Sequence, residues 1–266
     1  MAVGTVDVAT TAWERLRRAA GGPAALRIFS FVLLLCVWSL ATLADPSGQV
    51  LPAPWVVLDT MWYHLHEEGL LYHLSVTLWR VAAAFFGAMV IGVALGILMG
   101  ARRRADIILD GWHILFLNMP ALVLIILCYV WFGLTEVAAI VAVALNKIPN
   151  VVVTVREGTR AVDRELLDVA RVFRVDRRTT FLRFFLPQLY PYIMAAARGG
   201  IALIWKIVLV VELLGRSNGV GFKLHEFFQL FDIAAVLAYT LAFVVVMMAV
   251  EYGVMAPLER RCTRWR

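Results

Sequence analysis

The sequence predicts an all-α integral membrane protein. Three observations carry that expectation. Of its 266 residues, 62% are hydrophobic, against roughly 45–50% in soluble domains. The apolar residues gather into runs, most of them as long as the ~20 residues a helix needs to cross about 30 Å of hydrocarbon. The cations cluster in alternate connections between those runs, as expected when Lys and Arg are retained in the cytosol.

Taken in order, residues 1–24 form an N-terminal arm with Arg15, Arg17 and Arg18 ahead of Gly21-Gly22-Pro23. Residues 26–44 are the first span, and the arginines before it place the N-terminus inside. Leu51-Pro52-Ala53-Pro54 breaks the chain, and Trp55 to Leu65 has the pattern of an interfacial helix. His64, His66 and His73 lie near Glu67 and Glu68. Only His64 and one of the two glutamates share a helical face, so a wetted surface is expected there rather than a metal site.

Residues 76–100 are the second span. Ala88, Gly92, Gly96 and Gly100 recur every fourth residue, a smooth stripe for close helix approach. Arg102, Arg103 and Arg104 hold its end in the cytosol. The third span, 107–132, is interrupted at Asn118-Met119-Pro120. A proline at that depth frees a backbone carbonyl that protein or a cavity must satisfy. The fourth span is 137–155, with Asn146, Lys147, Pro149 and Asn150 in or near its inner half. The fifth, 192–214, holds Arg198, Trp205, Lys206 and Glu212, and the sixth is 233–252. A basic tail, 257–266, then closes the chain inside. The transmembrane body therefore runs over 25–256, with both termini cytoplasmic.

Between the fourth and fifth spans lies a cytoplasmic loop, 156–190. It interleaves Arg164, Arg171, Arg174, Arg177, Arg178 and Arg183 with Leu167, Val172, Phe173 and Phe181. Asp176 is placed to cap a helix starting at Arg177, and Pro187 and Pro191 are expected to stop it. The pattern reads as two short amphipathic helices presented to a partner.

Several functions are excluded by what the sequence holds. The net charge of +6 follows from the topology, so no nucleic-acid partner is implied. Cys36, Cys128 and Cys262 have no metal or disulfide spacing. No P-loop is present, and no nucleophile stands at a recognisable spacing from a base. The chain reads as a passage, not an enzyme. Lys147 and Lys206 are the candidates to line it, together with Asn118 and Asn146, because an ionisable group in lipid is costly unless it faces water or a partner. Such lysines would favour an anion. Their structural alternatives are snorkelling for Lys147 and a pair with Glu212 or Glu136 for Lys206.

The loop resembles the coupling motif of binding-protein-dependent ABC importer permeases. In that family an acidic residue, two small residues and a glycine precede a Leu-Pro pair. Asp168, Val169 and Ala170 stand at the start here, Arg174 occupies the usual glycine position, and Leu186-Pro187 stands at the end. Leu51-Pro52-Ala53-Pro54, Leu78-Trp79-Arg80-Val81, Trp131-Phe132-Gly133, Trp205 to Glu212, Leu214-Gly215 and Leu258-Glu259-Arg260-Arg261 are similar to the nitrate/sulfonate/taurine branch. The resemblance implies the six-helix transmembrane domain of a type I importer in a bacterial inner membrane. It implies a homodimer surrounded by lipid, two cytoplasmic ATPase subunits that bind the ATP, and an extracytoplasmic solute-binding protein. It also implies that Arg171, Phe173 and Arg177 join the docking surface. Two other classes remain at this stage. A transporter or channel subunit without an ATPase would not co-purify with one, and a metalloenzyme built on His64–His73 would carry metal.

Overall fold

The computed structural model describes residues 23–44 and 50–262. Residues 1–22 of the N-terminal arm, residues 45–49 and the last four residues, with Arg15, Arg17, Arg18, Arg264 and Arg266, lie outside the described residues. All regular elements among the described residues are helical. Helix α1 (Pro23–Ala41) exposes apolar side chains along its whole length, Phe29, Val32 and Leu33 among them. It meets the next segment through the Trp38 indole N–H, which donates to the Pro52 carbonyl at 3.2 Å.

Helix α2 (Pro54–His66) starts on a proline, whose missing N–H costs nothing at a helix start. Helix α3 (Leu70–Ala101) is the long central rod. Its small-residue stripe meets α6 (Glu136–Arg160) at very short range. A Cβ built at Gly92, Gly96 or Gly100 would lie 2.6, 2.7 and 2.5 Å from the Cβ atoms of Val151, Val155 and Thr159. No side chain fits in that gap.

Between these two rods the chain forms α4 (Arg103–Asn118) and α5 (Ala121–Phe132). The expected third span is thus a pair of helices meeting at 100° across Met119-Pro120. Pro120 has no N–H to give to the helix before it, and Met119 already leaves that helix in an extended conformation, with ψ +125°. The missing donor ends α4 at this point; the Asn118 side-chain amide donates to the Ile114 carbonyl at 2.9 Å. Among the described residues, five helices are long and apolar enough to cross a membrane, or six if the bent pair is one span.

Helix α7 (Arg164–Val172) is the first loop helix, capped by the Asp163 carboxylate on the Glu165 N–H at 2.8 Å. Asp176 caps the next helix as expected, accepting from the Thr179 N–H at 2.9 Å. Hydrogen bonds from the side chain and the backbone of Thr179 hold the Asp176 carboxyl below its ordinary pKa. The expected stop at Pro187 and Pro191 does not occur. Helix α8 runs unbroken over Arg177–Gly215, 39 residues. Residues Thr180–Phe185 take the wider π turn, in which the Leu186 N–H reaches five residues back to the Phe181 carbonyl. That local rewinding makes room for a ring that has no N–H to give.

Helix α9 (Val220–Gln229) and the final α10 (Ile233–Glu259) complete the body. Val81 and Ala84 of α3, Ile125 and Cys128 of α5, Ala139 and Val143 of α6, and Ile204 and Val208 of α8 form one buried cluster. A second joins Leu70 and Leu74 to Val220, Phe227 and Tyr239. His64 belongs to its edge. It is 5% exposed and packs edge-on against Phe227 and Tyr239, with Glu68 at 3.2 Å. The histidine is therefore packed, not wetted, because α9 and α10 fold over it. His73 accepts a hydrogen bond from the Gly219 N–H at 3.0 Å.

Candidate functional site

The loop helix α7 is held by its ends and free along its outer face. Ala170 is 1% exposed and anchors it. The Gln188 side-chain carbonyl accepts from the Asp163 N–H at 2.9 Å, tying the start of α7 to α8. The outer face is apolar at its tip: Val172 is 79% exposed and Phe173 76%. Val169 is also exposed, and Asp168 pairs with Arg171 at 2.8 Å along the same helix. Behind the tip is an open cavity of about 640 Å³ lined by Leu167, Arg171, Arg174, Arg177 and Phe181. Leu186 and Pro187 open the α-helical part of α8 beyond the π turn.

Arg174 stands where the resembling family has glycine, and its φ is +51°. The turn keeps the glycine geometry without the glycine. The Arg174 N–H donates to Arg171 and the Val175 N–H to Ala170, at 3.0 and 2.9 Å. That pair of bonds is the Schellman arrangement, which wants a left-handed residue at this place. A side chain there costs about 1–2 kcal/mol. Arg174→Gly is therefore expected to raise stability by about 1 kcal/mol, visible as a higher Tm of the purified protein. A lower Tm would mean that the arginine side chain stabilises the turn by more than its strain costs.

The predicted passage residues are not gathered in one place. Lys147, on α6, is 5% exposed. Its stem lies over Gly200 of α8, where a Cβ would come within 2.9 Å of Lys147 Cε. Its ammonium has no ion pair or hydrogen bond with any described residue. Lys206 is exposed and lines a cavity of about 560 Å³ between α8 and α10, with Arg198, Trp205, Thr240 and Glu251. Gly200 and Lys206 are six residues apart, so the two lysines address different faces of α8. Arg198 is not a simple interfacial anchor: it pairs with Glu251 at 3.1 Å and with Glu259. Asn146 accepts from the Asn150 amide at 3.4 Å, and Thr154 donates to the Asn150 carbonyl at 3.2 Å. These three, spaced by four, make a polar stripe on α6 away from the α3 seam. Asn118 sits apart at the α4–α5 bend.

The expected pairing of Lys206 with Glu212 or Glu136 fails because Arg80 takes both carboxylates. Arg80 is 2% exposed and Glu212 0%. Arg80 Nη1 donates to Glu212 at 2.7 Å and to the Asn218 carbonyl at 2.8 Å. Its Nε and Nη2 grip Glu136 at 2.8 and 2.6 Å. Thr77 and the Gly221 N–H donate to the other Glu212 oxygen, each at 2.9 Å. Arg216 reaches Glu136 at 2.5 Å. Gly219, with φ +107°, brings the backbone so near that a Cβ would lie 2.4 Å from Glu212 Cδ. The signal for this network was present in the sequence: a lone arginine inside one apolar span and a lone glutamate, Glu212, inside another, with Glu136 and Arg216 as a second opposite pair beside them.

The chain is an all-helical bundle whose long helices could cross a membrane, with a capped amphipathic loop helix held outside them. Residues 88–262 match the family described as binding-protein-dependent transport system inner membrane component, and the chain belongs to that family. The family is a transport component rather than an enzyme. The chain is similar to the putative aliphatic sulfonates transport permease protein of Bacillus subtilis (strain 168), 29% identical over 88% of this chain and 85% of the relative. It is 28% identical to the taurine transport system permease protein of Escherichia coli (strain K12), over 88% and 86%. It is 27% identical to the nitrate import permease protein of Leptolyngbya laminosa, over 74% and 73%. Among solved structures, inward-facing MetNI methionine ABC transporter shares its fold, with a TM-score of 0.63 at 18% identity, over 73% of this chain and 96% of that one.

Proposed function

We propose that this permease forms the translocation path for a small anion of the sulfonate, taurine or nitrate type. Two copies pair in the inner membrane, with both termini cytoplasmic. Their loops over 156–190 dock on two cytoplasmic ATPase subunits that bind the ATP, and an extracytoplasmic binding protein delivers the solute. The observation that carries this reading is the naked apolar tip of α7. Val172 and Phe173 stand almost fully exposed beside Arg171, Arg174 and Arg177. Burying one such side chain is worth roughly 1.5–3 kcal/mol, so a protein partner with an apolar groove and an acidic rim matches the surface. Asp168, Val169 and Ala170 position that tip. Lys147 supports the anion, since an ammonium without a protein partner in a span needs a counter-charge.

The test is the complex reconstituted in proteoliposomes. Phe173→Asp is expected to cut ATPase co-purification and transport about tenfold or more, while the permease itself still purifies. Lys147→Gln, at unchanged assembly, is expected to depress uptake of a sulfonate or nitrate. Full ATPase retention in Phe173→Asp sinks the docking assignment, and unchanged uptake in Lys147→Gln removes that lysine from the path.

A further inference from the structure

Beside the inner half of the α3–α6 seam lies a third cavity, of about 320 Å³. Leu95 and Met99 of α3, Leu109 and Phe116 of α4, and Val152 of α6 line it. It spans Ile91 to Met99 along α3, eight residues, or about 12 Å of helix rise. One ionisable group interrupts this apolar slot. His113 lines it, is 9% exposed, and its buried Nε2 has no hydrogen-bond partner among the described residues. A buried polar atom left in that state is costly unless something outside the chain satisfies it.

The other end of the slot is cationic. Met99 lies three residues before Arg102, and Arg102, Arg103 and Arg104 are exposed. Neighbouring Asp106 and Asp110 are engaged by Arg156 at 3.4 and 2.8 Å, and Asp106 by Arg160 at 2.6 Å. Arg102, Arg103 and Arg104 make no ion pair with a described residue. Gly100 abuts Thr159, while His113 shares the cavity with Val152. Seven residues of α6 separate those levels, about 10 Å. The outer side of α4 exposes Ile107, Ile108 and Leu115, a surface suited to lipid, and exposed Trp112 borders the slot.

We infer that this slot is a binding site for one anionic phospholipid of the leaflet next to Arg102–Arg104. The phosphate sits on the arginines, an ester carbonyl accepts from His113 Nε2–H, and an acyl chain fills the slot between α3, α4 and α6. The charge complement decides the headgroup: three unpaired guanidiniums favour a phosphodiester with net negative charge over a zwitterion.

The experiment uses the full chain, purified in mild detergent and given vesicles of phosphatidylglycerol or phosphatidylcholine. Native mass spectrometry counts retained lipid, and Tm is read in parallel. Wild type is expected to retain one phosphatidylglycerol per chain and to gain Tm with that lipid only. The exposed double variant Arg103→Gln/Arg104→Gln, which leaves the fold alone, is expected to weaken retention about tenfold. His113→Leu removes one buried hydrogen bond, which corresponds to about a tenfold loss. Leu95→Trp, which fills the slot, is expected to abolish retention. Equal retention of the two lipids by wild type overturns the proposal, as does undiminished phosphatidylglycerol in the arginine variant. Displacement of the lipid by inorganic phosphate alone would show an ionic contact without the slot and overturns it too.

Discussion

Arg80→Ala is expected to destabilise the bundle by about 3–5 kcal/mol, the cost of leaving a buried charge without its partner. Glu212 is 0% exposed, and its only cation among the described residues is Arg80. Thr77 and Gly221 would still donate to it, but they carry no charge. The loss spreads, because one guanidinium joins α3, α6, α8 and the turn at Asn218. Arg80→Lys is expected to recover only part of the loss, since an ammonium cannot reproduce the forked grip on Glu136 and Glu212. Glu212→Gln should be milder than Arg80→Ala, because Arg80 keeps Glu136. Thermal unfolding of the purified protein measures all three. An Arg80→Ala protein with wild-type Tm would show that water enters the site and replaces the pair.

The same network shows where sequence reading stops. Arg80, Glu136 and Glu212 are plain to see, yet they lie 56 and 132 residues apart. Pairing depends on which helix ends meet, and hydropathy says nothing about that. Lys206 was an equally good partner on composition; rotation about α8 turns it away from Glu212. Local features were legible because their physics is local. Asp176 caps the helix at Arg177, and Gly92, Gly96 and Gly100 mark a close seam. Proline was the misleading signal. Pro187 and Pro191 sit inside a continuous helix because a π turn absorbs Pro187, while Pro120 breaks the chain through 100°. The difference lies in the preceding turn. Met119 turns extended before Pro120 and α4 ends, whereas the Leu186 N–H finds Phe181 and keeps the helix going. Arg174 shows a third limit. Its family position suggests a glycine turn, and only the hydrogen bonds show that the turn is kept at the expense of strain.

Gly96→Leu is expected to cost about 3 kcal/mol or more, the upper range for overpacking a close seam. The Cβ alone would meet Val155 Cβ at 2.7 Å and the Arg156 backbone nitrogen at 3.2 Å. A β-branched side chain and a helix backbone cannot yield as the end of a flexible chain does. The rods must therefore part, and small residues are the main means by which membrane helices approach closely. Gly87→Leu is the matched control on the same helix, since a Cβ there meets nothing within 4 Å; it should leave Tm unchanged. The seam also bears on the loop. Just beyond Val155, Arg156 and Arg160 bind Asp106 and Asp110 of α4, and α7 begins at Arg164. Parting α3 from α6 would shift the root of α7 as well as the core. Gly96→Leu should therefore lose ATPase co-purification at temperatures where the variant is still folded, while Gly87→Leu keeps it. If Gly96→Leu loses Tm but retains the ATPase, the loop is positioned from α8 alone, through Gln188 and Asp163.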